Sequence, residues 1–180
     1  GKTLAGFLPS LCELAERPRA GLHTLYISPL KALTQDIQRN LETPVSEIGL
    51  DVSIETRTGD TPQGKRKRQR QNPPNMLLTT PESLALMLSY PDAGEFFANL
   101  ECVVLDELHA LAGTKRGDLL ALGLARLTRL APQARRVGLS ATVRDPADLR
   151  AWLSPTAEDD GTVRQVDCGE GPNPEIDILT

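Results

Sequence analysis

No run of apolar residues in this 180-residue chain approaches the roughly 20 that cross a bilayer. The first residues also lack the basic, apolar and small-residue order of a secretory signal. Neither a membrane protein nor a secreted one is expected. Cysteine is scarce: Cys12, Cys102 and Cys168 are odd in number, far apart, and form no C-x-x-C pair, which speaks against a zinc site and for a reducing cytoplasm. Aromatics amount to one Trp, two Tyr and three Phe, too few for a stacking platform to be the main mode of holding bases. An excess of positive charge is missing too. Twenty Lys and Arg stand against twenty-four Asp and Glu, a net charge of -4, so any contact with a polynucleotide must be local.

What is present fits one domain, since about 100 to 200 residues per domain is the usual size. With 39% hydrophobic and 24% charged residues, the chain can bury a single core. Lys65, Arg66, Lys67, Arg68 and Arg70 concentrate five of the twenty cations. At the start, Leu4, Phe7, Leu8, Leu11 and Leu14 follow Gly1-Lys2-Thr3 at helical spacing. A phosphate-binding loop, G-x-x-x-x-G-K-[ST], opens a helix in this way, so the chain reads as a fragment lacking the first strand and the start of that loop. Residues 169–174, with two glycines and two prolines, read as a linker. The expected division is a motor-like domain over 1–168 and a linker with the start of another domain over 169–180.

Between the ends, short apolar runs alternate with helical patterns, which predicts β-α-β units and an α/β fold with a parallel sheet and helices on both faces. The predicted strands are Leu22 to Ser28, Val52 to Thr56, Met76 to Thr79, Cys102 to Leu105 and Arg136 to Leu139. Four of them read as continuously buried, whereas Val52, Ile54 and Thr56 alternate with Ser53 and Glu55 and predict a place nearer the sheet edge. One helical pattern, Leu30, Leu33, Ile37 and Leu41, is expected to end at Pro44, and another, Leu120, Leu124, Leu127 and Ala131, at Pro132. Thr80-Pro81 and Asp145-Pro146 are N-cap signals, and Pro9 is expected to kink the first helix.

Two features carry chemistry. Lys2 would neutralise the β and γ phosphates of a nucleotide and the Thr3 hydroxyl would bind Mg²⁺, beside the favourable partial charge of a helix N-terminus. A lysine on a helix is otherwise a solvated charge. Cys102 to Leu105 is an apolar strand that ends in Asp106-Glu107, at the carboxyl edge where α/β sheets bind ligands. Two adjacent acids there repel each other and lose hydration, so a divalent cation is their natural partner. Asp106 would hold Mg²⁺ and Glu107 would orient and deprotonate the water attacking the γ-phosphate of ATP. The alternative for the pair is a strand ending in solvated acids.

Asp106-Glu107-Leu108-His109 resembles the DExH box of superfamily 2 helicases. Ser28-Pro29-Leu30-Lys31-Ala32-Leu33 resembles motif Ia, Arg57-Thr58-Gly59-Asp60 the glycine-containing motif that follows, Thr80-Pro81-Glu82-Ser83 motif Ib, and Ser140-Ala141-Thr142 motif III. RTGDTP, TTPESLALMLSYPDA and DELHALAGTKRGDLLALGLARL look most like the large helicase-related (Lhr) group, especially its ligase-associated DExH branch. The resemblance implies a RecA-like first motor domain of the P-loop NTPase class, 3′-to-5′ movement on DNA driven by ATP, and service in DNA repair beside a DNA ligase and a repair nuclease in a bacterial cytoplasm. It implies that Gly1, Lys2, Thr3, Asp106 and Glu107 bind Mg-ATP, and that His109, Ser140 and Thr142 link the nucleotide to the DNA side. Lys31, Arg57, Thr58, Thr80 and Ser83 would hold the DNA backbone. It further implies an arginine finger on a second motor domain, worth about 10³ to 10⁵ in rate, so that this domain alone should be nearly inactive.

Other readings stay open. His109 could be an ordinary helix-start residue, Ser140 and Thr142 a capping turn, and Thr80 a simple cap. The basic stretch Gly64 to Gln71 reads as a solvated helix after Thr61-Pro62, and Lys115-Arg116 could approach DNA or face water. A nucleic-acid-binding module with a vestigial nucleotide site, or an ATPase of the same fold that remodels protein, are the competing functions.

Overall fold

The structure is a computed structural model that describes residues 2–141, 143, 146–153 and 163–166, the side chains of Lys2 and Thr3 excepted. The elements follow in the order α1 (Lys2–Glu16), β1 (Thr24–Ile27), α2 (Lys31–Glu47), β2 (Ile54–Arg57), α3 (Gln63–Gln71), β3 (Met76–Thr79) and α4 (Pro81–Leu88). After these come α5 (Ala93–Phe97), β4 (Cys102–Leu105), α6 (Leu108–Leu111), α7 (Lys115–Leu130), β5 (Arg135–Gly138) and α8 (Pro146–Leu153).

All five strands are parallel, in the order β2-β3-β1-β4-β5. Side chains alternate between the two faces of a strand, and the apolar runs fill both. Leu25, Ile27, Leu77, Val103 and Leu105 pack on one side with α4, α5 and α7. Tyr26, Met76, Leu78, Cys102 and Val104 pack on the other with α1 and α2. This double burial is why β1, β3 and β4 are apolar at nearly every position. The expected α/β architecture is the one observed. The register is unstaggered: Ile27 lies beside Thr79 and Leu105, Thr79 beside Arg57, and Leu105 beside Gly138. Every strand therefore ends at one common edge.

Met76–Thr79 and Cys102–Leu105 form strands over the predicted residues, and β2 is an edge strand paired with β3 alone, as its alternation predicted. The strand predicted at Arg136 to Leu139 is shifted by one residue, and it is half exposed where burial was expected. It has one strand neighbour among the described residues and contains two arginines, which take partners at its rim: Arg135 pairs with Glu13 and Arg136 donates to the Leu153 carbonyl at 2.8 Å. The first helix runs on through Pro9.

Pro44 does not end its helix. α2 continues to Glu47 because the next residue, Val45, is buried with Leu41 in the apolar layer. That burial contributes about 1.5–3 kcal/mol against a proline penalty of about 3 kcal/mol. Hydrogen bonds from the amides of Ile48 and Leu50 to the carbonyls of Pro44 and Val45 complete the end of the helix. The Thr80-Pro81 signal is realised, with Thr80 Oγ1 accepting from the Ser83 amide. α8 begins at Pro146, while Asp145 and the predicted linker at 169–180 lie outside the described residues.

At the opposite edge of the sheet His23 is buried, with Nδ1 2.8 Å from Thr24 Oγ1 and Nε2 3.4 Å from Glu13. Burial holds its pKa below the usual 6.5, against the attraction of Glu13 and Glu101 and with the repulsion of Arg19 and Arg135. The unfolded chain thus takes up a proton that the folded chain refuses. The stability tied to neutral His23 is complete above about pH 6.5 and declines as pH falls through the window below it, by at most about 1.4 kcal/mol per pH unit for one proton. Chemical denaturation at pH 7.5 and 5.5 should show this loss in the native protein and a smaller one in His23→Gln. Equal losses in the two would contradict it.

Candidate nucleotide and nucleic-acid site

The common register places the residue after each strand at one edge: Ser28 after β1, Thr58 after β2, Thr80 after β3, Asp106 after β4 and Leu139 after β5. The described site residues predicted from the sequence cluster there in two groups. The first is built on β1, β4 and β5, the second on β1, β2 and β3.

In the first group Asp106 is buried at 6% exposure and its amide donates to the Ile27 carbonyl at 2.9 Å. Its carboxylate accepts a hydrogen bond from the Tyr26 hydroxyl. Burial, with Asp106 and Glu107 beside it, pushes the Tyr26 phenol far above its ordinary value, so the hydroxyl stays a donor. The Tyr26 ring stacks on Phe7 with centroids 4.8 Å apart. Tyr26 was not foreseen. The signal was there, because a phenol in a strand buried on both faces needs a polar partner.

Phe7 belongs to α1, and the direction of that helix follows from its contacts. Glu13, near its C-terminus, pairs with Arg135 at the start of β5. Gly6 lies so near Leu139 and Val104 that a Cβ there would stand 2.9 Å and 3.3 Å from their side chains. The N-terminus of α1 thus points to the strand-end edge that holds Asp106. That is the place a helix offering amides and partial positive charge to phosphate must occupy. Gly1 and the side chains of Lys2 and Thr3 lie outside the described residues.

Glu107 takes the left-handed conformation, φ 50° and ψ 43°, and starts α6. Such a backbone costs a non-glycine residue about 1–3 kcal/mol, and the turn is held from both sides. The Leu108 amide donates to the Leu139 carbonyl at 3.0 Å and the Ala110 amide to that of Glu107 at 2.8 Å. His109 joins three partners. The Ala141 amide, which can only donate, reaches Nδ1 at 3.3 Å, and Ser140 Oγ lies 3.1 Å from the same nitrogen. With Nδ1 accepting, the neutral ring carries its proton on Nε2, 3.2 Å from Glu107 Oε2. One imidazole therefore ties the carboxylate to the turn after β5. Thr142, the third predicted coupling residue, lies outside the described residues.

In the second group Lys31, Arg57, Thr58, Thr80 and Ser83, all five residues named for the DNA backbone, line one open cavity of about 470 Å³. They come from three separate segments: the start of α2, the end of β2 and the turn into α4. Lys31 Nζ is paired with Asp60 at 3.0 Å. Thr80 caps α4 and lines the cavity as well. Arg57 is almost fully buried in the wall, one guanidinium nitrogen donating to the Arg66 carbonyl at 3.4 Å and another without a hydrogen-bond partner. Burial lowers its pKa, Tyr90 opposes the shift and Arg66 and Arg70 add to it.

Arg66 and Arg116 line the same cavity and were not named as site residues. Arg66 donates to the carbonyls of Thr61 at 2.7 Å, Gly59 at 2.5 Å and Thr58 at 3.3 Å, so it shapes the glycine-containing loop. The basic stretch is a helix, as expected, but it is more than solvated charge: Arg68 pairs with Glu55 and Arg70 with Asp92.

The sequence profile of the DEAD/DEAH box helicases matches residues 1–149. The chain belongs to this family. It is 46% identical over 168 residues to the Lhr helicase/probable uracil glycosylase of Mycolicibacterium smegmatis, covering 86% of this chain and 11% of that protein. It is 46% identical over 175 residues to the Lhr helicase/uracil glycosylase of Escherichia coli, covering 85% and 11%. The solved Mycobacterium smegmatis helicase Lhr bound to ssDNA and AMP-PNP superposes with a TM-score of 0.80 at 46% identity, over 88% of this chain and 22% of that one. The helicase domain is thus RecA-like, and it spans about a tenth of the length of these curated relatives.

Among the described residues of this helicase domain no group of three His, Cys, Asp or Glu could enclose a metal ion, and no helix is long and apolar enough to cross a membrane. Asp106 and Glu107 are oxygen donors, one of them fixed by Tyr26. That set fits Mg²⁺, which keeps most of its waters and takes one or two carboxylates together with phosphate oxygens.

Tyr26→Phe removes the donor from a buried carboxylate and should cost about 1–3 kcal/mol in denaturant unfolding. Adding Asp106→Asn, which removes the charge, should make the loss from Tyr26→Phe smaller. Strict additivity in the double-mutant cycle would show that the two groups do not interact.

Proposed function

We propose that this chain is the first motor domain of an ATP-dependent DNA helicase, binding Mg-ATP beside Asp106 and Glu107 and single-stranded DNA along the cavity lined by Lys31, Arg57, Thr58, Thr80 and Ser83. The observation that carries this reading is the sharing of one sheet edge by both groups. The AMP-PNP and ssDNA named for the structurally similar Lhr helicase support it. Asp106 and Thr3 would hold Mg²⁺, which draws charge from the terminal phosphates when bound. Lys2 would meet the β and γ phosphates. Glu107 would take a proton from the attacking water, its carboxylate held by His109. His109, Ser140 and Thr142 would report that state toward the DNA side. The buried Arg57 guanidinium and the Thr80 and Ser83 hydroxyls suit a sugar-phosphate backbone and carry no reading of bases.

The sequence blocks shared with the Lhr group support 3′-to-5′ movement, service in DNA repair beside a DNA ligase and a nuclease, and work in the cytoplasm. A second motor domain would supply the arginine that completes hydrolysis. The discriminating experiment uses the whole helicase that carries this domain. Glu107→Gln should keep Mg-ATP affinity within about threefold and lower turnover at least about 100-fold, since the amide keeps the shape but accepts no proton. Turnover by the native helicase should rise on adding single-stranded DNA. An ATPase rate indifferent to DNA would remove the translocase reading, and wild-type turnover in Glu107→Gln would remove the catalytic assignment.

A further inference from the structure

We infer that the Arg116–Glu82 ion pair is the contact through which DNA in the cavity sets the position of Glu107. The inference rests on the proposed function and adds a route between its two sites.

Both partners face the cavity. Arg116 Nε donates to Glu82 Oε1 at 2.6 Å and a terminal nitrogen donates to Oε2 at 3.1 Å. Glu82 stands in the first turn of α4, next to Thr80 and Ser83. The hydrogen bonds from Arg116 hold its carboxyl below the usual range, so it remains charged.

From Arg116 the chain leads back to Glu107 through elements that cannot shift separately. Arg116 is in the first turn of α7, whose cap, Thr114, accepts from the Gly117 amide at 3.1 Å. The Thr114 hydroxyl donates to the Leu111 carbonyl at 2.7 Å, and its amide to the same oxygen at 3.1 Å. A Cβ on Gly117 would stand 2.0 Å from that oxygen, so only glycine lets α7 sit this close to the end of α6. α6 in turn begins at Leu108, directly after the left-handed Glu107. A displacement of Arg116 is passed to the turn that aims the carboxylate.

A phosphate entering the cavity is drawn by Arg57 and Arg66 and meets opposite charges in the pair. It attracts the Arg116 guanidinium and repels the Glu82 carboxylate, so it competes with Glu82 for Arg116. The pair is about half exposed, and such pairs add little to stability, which suits a contact made to be exchanged. Apolar packing of Gly123 against Leu84 and Leu88 keeps α4 and α7 together while their first turns adjust.

The partners are therefore expected to act in opposite directions. In the whole helicase, Glu82→Gln frees Arg116 without DNA and should raise DNA-free ATP turnover about threefold or more. Arg116→Gln removes the group the phosphate pulls and should lower turnover at saturating single-stranded DNA about tenfold, with saturation verified by fluorescence titration. Either change brings the DNA-stimulated to DNA-free ratio toward one by its own route. Native ratios in both variants at saturating DNA overturn the inference, as do parallel falls in both rates with lowered melting temperatures, which mark a structural brace. If the native helicase itself is not stimulated, it is the proposed function that fails.

Discussion

A carboxylate at the end of an apolar strand, almost out of contact with water, dominates the construction of this domain. Asp106 retains 6% exposure, and a charge so placed is tolerable only with a committed donor. Tyr26 supplies it from the neighbouring strand, and Phe7 of α1 fixes the Tyr26 ring. One stacked pair and one hydrogen bond thus tie α1, β1 and β4 together at the edge where the strands end. The arrangement also brings the N-terminus of α1, with its partial positive charge, toward the acid. A triphosphate laid on those amides would be repelled by Asp106 and Glu107 unless a divalent cation stood between them. The described residues offer two carboxylates and no closed cage, so an ion there would draw further oxygens from the phosphates and from water.

The second acid is governed by backbone geometry more than by burial. Glu107 sits at φ 50°, a conformation that turns the chain sharply from β4 into α6 and leaves its side chain on the open edge. His109 then meets that side chain from two residues onward. The Ala141 amide and Ser140 fix the opposite side of the ring, which decides where the proton resides. With Nδ1 taken up by the Ala141 amide, Nε2 is the nitrogen that faces Glu107, so the carboxylate is oriented by a single, directed contact.

The fold was largely readable because buried parallel strands leave so plain a record. Leu77 and Val103 face one layer while Met76, Leu78, Cys102 and Val104 face the other, and the buried polar residues of β1 and β3, Thr24, Tyr26 and Thr79, each have a hydrogen-bond partner. The clustering of the acids and of the cavity-lining residues at one edge was readable because α/β sheets bind ligands at the ends of their strands. What escaped depends on contacts between distant residues. Pro44 lies inside a helix because Val45 finds a pocket in the core, and β5 is half exposed because of its place at the rim. Neither fact is local. Arg66 was hidden within a run of like charges, although its guanidinium organises the Thr58–Thr61 loop through three carbonyls. The Arg116–Glu82 pair joins residues 34 positions apart, and nothing in either neighbourhood announces the other.

The cavity also reconciles an acidic chain with the polyanionic ligand proposed for it. A net charge of -4 describes the far field, which is screened within roughly 8–10 Å at physiological salt. Within the cavity Lys31, Arg57, Arg66 and Arg116 outnumber the single carboxylate of Glu82. Arg57 matters most among them because it is buried. Its charge is shielded least by water, one of its nitrogens lacks a hydrogen-bond partner, and the nearby Arg66 and Arg70 deepen its need for an anion. Arg57 keeps only the Arg66 carbonyl and the Tyr90 ring beside it, while the other cations have more exposed partners: Lys31 in Asp60, Arg116 in Glu82, and Arg66 in carbonyl oxygens. An anion entering here would therefore gain most from Arg57 and would draw on the rest by exchange. An anion taken up beside Lys31, Arg66 or Arg116 displaces an existing contact rather than meeting a bare charge.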